Sequence, residues 1–246
     1  MSLEWGVQVV RLTLFLRDPH SVSDKDWLII TGQEEAETRQ AIPGGKRLSG
    51  RIPNGTLQLS AAGQRFDVVL SAVEIQADEQ LAIPSVGALD ETLKTFFETT
   101  RKWIDENEPN VVRAAFGTVL TCRTETRDAA YQHLKGLLKS LDVQPEKMRD
   151  LLYRVNWRVT SSVQAGLIIN RLTTWSALRM IRRLIQIGGE IATGSGGDEV
   201  YAVRLEVDHN TDDANRTPFD PQKVIPIYSE LIELARENAA TGEVPC

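Results

Sequence analysis

Cysteine and histidine are scarce in this chain, and their scarcity removes whole classes of chemistry. Two cysteines, Cys122 and Cys246, are too few for a disulfide framework or a thiolate zinc cluster. The three histidines, His20, His133 and His209, lie far apart in sequence, with no H-x-x-x-H pair and no cysteine partner. A metal site is therefore not expected, and neither is any other cofactor. Long apolar runs are missing as well: none approaches the roughly 20 residues that cross a bilayer, so no membrane contact is expected. The opening stretch, MSLEWGVQVVRLTLFLRD, places Glu4 early and offers neither a basic n-region nor a small-residue cleavage site. It does not read as a signal peptide, and a cytoplasmic protein is the expectation. Catalytic signatures are absent too. There is no G-x-S-x-G elbow, and GSGGD at 194–198 lacks the Lys and Ser/Thr of a phosphate loop.

What remains is the composition of a folded protein with a sizeable core: 246 residues, 41% hydrophobic and 25% charged. The formal net charge is -6, but the charge is not evenly spread. From Leu151 to Gly189 there are six arginines, no lysine and no carboxylate, whereas carboxylates outnumber basic residues on either side.

The periodicities predict an α+β fold. VQVVRLTLFL reads as a strand and DWLIITGQ as a second one. Between 41 and 76, Pro43-Gly44-Gly45, Pro53-Asn54-Gly55 and Ala62-Gly63 punctuate short alternating runs, with Asn54-Gly55 a hairpin signal of the primed-turn kind. DETLKTFFETTRKWIDEN reads as a helix capped by Asp90, with Leu93, Phe96, Phe97, Trp103 and Ile104 at helical spacing. VVRAAFGTVLTCRT is a strand. RDAAYQHLKGLLKSLDV is a helix whose stripe runs from Ala130 to Leu141. DLLYRVNWRVTSS alternates, with Tyr153, Val155, Trp157 and Val159 facing one way and Arg154, Asn156 and Arg158 the other. GLIINRL is a further strand, and a helix is expected from Thr173 or Thr174 onward. VYAVRLEVDHN is the next strand. DPQKVIPIYSELIELAREN closes the chain as a helix, capped by Asp220 with Pro221 at its first position. The expected architecture is a curved, mostly antiparallel sheet with helices on one face. It contains two strand–helix units, AAFGTVLTCR and VYAVRLEVDH, each followed by a helix. Residues 1–80 form a β-rich part and 81–246 an α+β part that shares its core. Trp103 and Trp157 fit apolar faces. Trp5, Trp27 and Trp175 lie near element ends, with the core as their default place.

The pieces INRLTTWS, YAVRLEVDHNTD and DPQKVIPIYSELIELAREN resemble a sporadically distributed bacterial family of about 250-residue proteins whose function is uncharacterised. The resemblance covers the C-terminal two-thirds of the chain. It implies an α+β fold and a prokaryotic cytosolic setting, and the family's patchy distribution points toward defence or mobile-element loci. It transfers no active-site residue.

Two constellations stand out. The first is the arginine block: Arg154, Arg158, Arg171, Arg179, Arg182 and Arg183. On a helix, Arg179, Arg182 and Arg183 would share a face, and planar guanidinium groups suit bidentate contact with carboxylates or phosphates. These six are the candidate anion- or partner-binding residues, with a protein partner expected first and nucleic acid second. The competing structural reading pairs them internally with Glu206, Asp208, Asp212 and Asp213. The second constellation is EVDHNTDD at 206–213. Asp208, Asn210 and Asp212 have the one-three-five spacing of a calcium loop, but Asp213 stands where Gly is required and Phe219 where Glu is required. The functional expectation is a non-catalytic interaction or accessory protein of a defence or mobile-element system, docking through the arginine surface or a sheet edge. The alternative is a metal-dependent hydrolase or nuclease using the carboxylates around 206–213.

Overall fold

Alternation of apolar and polar side chains builds the strands. In Gly6–Leu16 (β1), Val10, Leu12 and Leu14 are buried, while Arg11 and Phe15 stay partly open, the period of two for a strand covered on one side. The structure, a computed structural model, describes residues 3–73, 82–181 and 199–243. After β1 come Asp24–Thr31 (α1), Thr38–Ile42 (β2), Gly45–Ile52 (β3), Gly55–Ala62 (β4), Arg65–Ser71 (β5) and Leu89–Asn107 (α2). The second half runs Val111–Thr124 (β6), Arg127–Leu137 (α3), Leu152–Thr160 (β7), Ile168–Ile181 (β8), Glu199–Thr211 (β9) and Pro221–Thr241 (α4). All nine strands join one antiparallel sheet that does not close, in the order β2-β3-β4-β5-β1-β6-β9-β8-β7. The fold is α+β.

The strand order reveals a repeat. In each half a strand is followed by a helix, then by three strands in sequence, the last returning beside the first, then by a second helix. The halves meet where β1 pairs β6, with Leu12 opposite Phe116, and β2 is an addition at the outer edge of the first half. Both expected strand–helix units, β6–α3 and β9–α4, lie in this sheet. The repeat groups α2 with the first half, and one buried cluster runs through both.

The helices cover one side. Trp27 of α1 lies against Gly50 of β3, where a Cβ would come within 2.9 Å of the indole. Trp103 of α2 stacks on Phe66 of β5 with ring centroids 4.0 Å apart, a contact contributing about 1 kcal/mol beyond its burial. Tyr228 of α4 sits by Phe116 of β6. The end of α3 is fastened to the end of α4, where the Glu243 N–H donates to the Leu137 carbonyl at 2.9 Å. Among the described residues no helix is long and apolar enough to cross a membrane.

Several expectations are corrected. DWLIIT is not a strand but α1. Ser23 and Asp26 exchange hydrogen bonds in a capping box and Gly32 closes the helix at φ 73°, and these local bonds outweigh the β preference of Ile29-Ile30. The helix expected after Thr173 is strand through Ile181. β8 pairs along its length with β9, from Ile169↔Thr211 to Ile181↔Glu199, while β7 pairs its first half, so tertiary pairing overrides the helix preference of Leu, Arg and Met. The N-cap of α2 is Ala88, which makes no side-chain cap bond, and Asp90 lies in the first turn. The α3 helix stops at Leu137, so Leu141 lies beyond it. The hairpin at Asn54-Gly55 forms, but its loop is Pro53-Asn54, since Gly55 pairs with Ile52. Neither Asn54 nor Gly55 has positive φ.

Candidate interaction surface

The arginine block divides when it folds. Strand β7 displays Arg154 and Arg158, both exposed, on the side of the sheet that carries no helix among the described residues. Arg158 pairs with Asp212. Arg171 points the other way and is only 3% exposed. It lies under α4, donating to Asn238 Oδ1 at 3.0 Å and facing Glu237 at 3.0 Å. Burial lowers its pKa, against the opposing pull of Glu237. Arg179 has the same strand parity as Arg171 but sits at the exposed end of β8, paired with Glu199. Arg182 and Arg183 lie outside the described residues. The block is thus not one cationic face: three of its members are held by carboxylates from the segment that follows it.

A cationic face exists elsewhere. Following the registers across the helix-free side places Arg47 and Arg51 of β3, Arg65 of β5, Arg11 of β1, Arg113 and Arg123 of β6, Arg204 of β9, and Arg154 and Arg158 of β7 on one side of the sheet. That is nine of the chain's twenty arginines and none of its eight lysines. Opposing them on the same side are three described strand carboxylates, Asp67, Glu206 and Asp208, with Asp212 just past the end of β9. In a chain of net charge -6, this is a strong segregation of sign and of residue type.

Local contacts fix part of this face. The Arg65 guanidinium grips Asp67 with two hydrogen bonds of 2.7 and 2.9 Å, and the Thr13 hydroxyl donates to the same carboxylate at 2.5 Å. That bond to Asp67 holds the Arg65 pKa above its usual value, and Asp208 adds a weaker pull. Arg113 lies over the Phe15 ring at 4.9 Å and donates to Asn210 Oδ1 at 2.9 Å. Arg204 pairs with Glu206 at 2.5 Å. The Arg11 guanidinium lies over Gly117, where a Cβ would stand 3.2 Å from it. Among the described residues no carboxylate lies within 4.0 Å of Arg11, Arg47, Arg51, Arg123 or Arg154. The Nε atoms of Arg11 and Arg47 are buried without an acceptor. The exposed guanidinium groups among them, those of Arg51, Arg123 and Arg154, are open to an anion from another molecule.

The carboxylates of 206–213 are not assembled as a metal site. Glu206 and Asp212 are held by arginines, and among the described residues no three His, Cys, Asp or Glu side chains group to hold an ion. His209 faces away from them, fully buried beneath α4 with Nδ1 3.3 Å from the Leu231 carbonyl. On the helix side, a cavity of about 220 Å³ opens beside Asp18, His20, Asn107 and Asn110. His20 on its wall lies 3.6 Å from Asp26, which is buried behind it and does not line the cavity. Asp26 accepts from the Trp103 indole at 2.7 Å and from Ser23. These hydrogen bonds, together with the nearby His20 imidazole, outweigh burial and hold its carboxyl far below the usual range.

Sequence reasoning missed Arg11, Arg47, Arg51, Arg65, Arg113, Arg123 and Arg204 because they are dispersed over the chain. The signal lies in their position within alternating strands: each occupies the polar phase of its strand. It becomes a surface only when the registers are known. No family model matches the chain, and no curated protein matches its sequence.

Proposed function

We propose that this chain is a non-catalytic interaction protein that binds an acidic protein partner on the helix-free side of its sheet. The observation that carries the reading is the concentration of arginine, to the exclusion of lysine, on that side. Arginine offers planar paired donors that match carboxylates bidentately, which lysine does not, and six of these groups have no carboxylate within 4.0 Å among the described residues. A protein partner is favoured over nucleic acid by the texture of the face. Asp67, Glu206 and Asp208 are interspersed with Ser49, Gln58, Thr174 and Asn170 on the same side. Such a mosaic complements a mixed protein surface better than a uniform line of phosphates.

The test is binding of a fluorescent glutamate-rich peptide and of a duplex DNA of equal charge, in wild type and in the double variant Arg51→Glu, Arg123→Glu. Both side chains are exposed, so an unchanged melting temperature is expected. Peptide affinity should fall at least tenfold, about 1.4 kcal/mol. Tighter binding to DNA than to peptide, or peptide binding indifferent to the reversal, would overturn the reading.

A further inference from the structure

We propose that the outer edge of β7 captures an extended segment of the partner by strand addition, and that this segment alternates acidic with apolar residues. The proposal rests on the acidic-partner reading and specifies the partner's chemistry and its mode of docking.

The two edges of the sheet are built differently. Strand β2 is five residues long, and its Arg39 is tied to Asp24 of α1 at 3.0 Å. Strand β7 runs nine residues, LYRVNWRVT, and keeps an uninterrupted register against β8 from Leu152↔Ser176 to Thr160↔Ile168. Sheet edges are ordinarily protected by shortness, proline, lysine, bulges or a covering element. The β7 strand has no proline, lysine or bulge, and among the described residues no strand pairs its outer side. It presents a row of unpaired backbone donors and acceptors, the template for an added strand.

Its side chains specify the occupant. On the helix-free side Leu152 is 70% exposed, and Arg154 and Arg158 stand two residues on either side of Asn156. Arg154 has no carboxylate within 4.0 Å among the described residues. Arg158 is shared with Asp212 and remains largely exposed. On the other side Val155 and Trp157 are only half-buried, and the Trp157 Nε1–H is shielded from solvent without an acceptor. Cross-strand neighbours on one face contact each other directly. A strand laid along β7 would therefore place one set of alternating residues against the two arginines and the other set against Val155 and Trp157. Carboxylates satisfy the first set and apolar side chains the second. A second copy of this chain fits poorly, because pairing β7 with β7 crowds four arginines onto two adjacent strands that contain no carboxylate.

The experiment measures binding of a labelled nine-residue peptide alternating valine and glutamate by fluorescence anisotropy, alongside two backbone N-methylated forms, one methylated at even and one at odd positions. Strand addition predicts that one methylation parity weakens binding at least tenfold while the other leaves it within twofold, since alternate N–H groups point toward and away from the edge. Arg154→Glu should weaken binding at least fivefold, and replacing glutamate by lysine in the peptide should abolish it. Equal effects of both methylation parities, or a concentration-dependent dimer that Arg154→Glu dissolves, would overturn the proposal. If a scrambled acidic peptide binds equally well and is lost in Arg51→Glu, Arg123→Glu but not in Arg154→Glu, the edge proposal falls and the sheet-face reading stands.

Discussion

His209 shows how one residue can be misread without its neighbours. In sequence it sits among carboxylates; in the fold it is a neutral core group on the opposite side of the sheet. Burial, helped by the nearby Arg171 guanidinium, pushes its pKa down to about 3, against the raising effect of the Leu231 carbonyl. The unfolded chain protonates this imidazole near its ordinary value of about 6.5, whereas the folded chain resists. Its contribution to stability is therefore complete above pH 6.5 and is lost as pH falls toward 3, at up to about 1.4 kcal/mol per pH unit. Denaturant melts at pH 7.5, 5.5 and 4.5 should show this slope, and His209→Leu should flatten it between pH 6.5 and 4.5. A variant with the wild-type slope would place the acid sensitivity elsewhere, and Asp26 is no candidate in that window, because its depressed carboxyl pKa makes its contribution disappear only at more acidic pH.

Elements were legible where local chemistry and tertiary demand agree. The closing helix has its cap, its Pro at the first turn and its stripe of Tyr228, Leu231, Ile232 and Ala235 all pointing the same way, and burial alternates along all of β7 and along β9 from Val203 to Thr211. Misreadings occurred where the two conflict. Ile29-Ile30 prefers a strand, but the capping box of Ser23 and Asp26 fixes α1. In β8, Leu178, Arg179 and Met180 are held extended by their pairing with β9. The β3–β4 hairpin gives a direct test of an element built on close approach. Gly55 is needed there for space and not for positive φ: a Cβ would stand 2.4 Å from the Ser71 carbonyl oxygen and 2.9 Å from Val86. Gly55→Ala should therefore destabilise the protein by about 1–3 kcal/mol, read as a lower melting temperature. A stabilising effect, as seen when alanine merely restricts the unfolded chain, would show that this contact yields easily.

At the scale of the whole molecule, the sheet separates two kinds of chemistry. Among the described residues four helices pack on one side; the other collects arginines from six strands while the chain as a whole is acidic. If bidentate geometry matters, the charge-conserving set Arg47→Lys, Arg51→Lys, Arg123→Lys and Arg154→Lys should weaken an acidic peptide about tenfold with little change in the dependence on salt, because the charge is preserved. Equal affinity in the lysine set would reduce the surface to a simple positive field.

The sequence by itself determined the α+β class, most strand and helix positions and the alternation that assigns each strand a covered and an uncovered phase. These follow from interactions between residues near one another in the chain, such as caps, turns and side-chain periods. Tertiary structure alone decided which arginines stand together. A strand register relates residues a hundred positions apart, Val9 with Val119 and Val119 with Glu206, and no local rule connects them. The described members of the dense block in the third quarter, Arg154, Arg158, Arg171 and Arg179, are divided between core, ion pairs and edge, and the broad cationic side is assembled from arginines that sequence keeps apart.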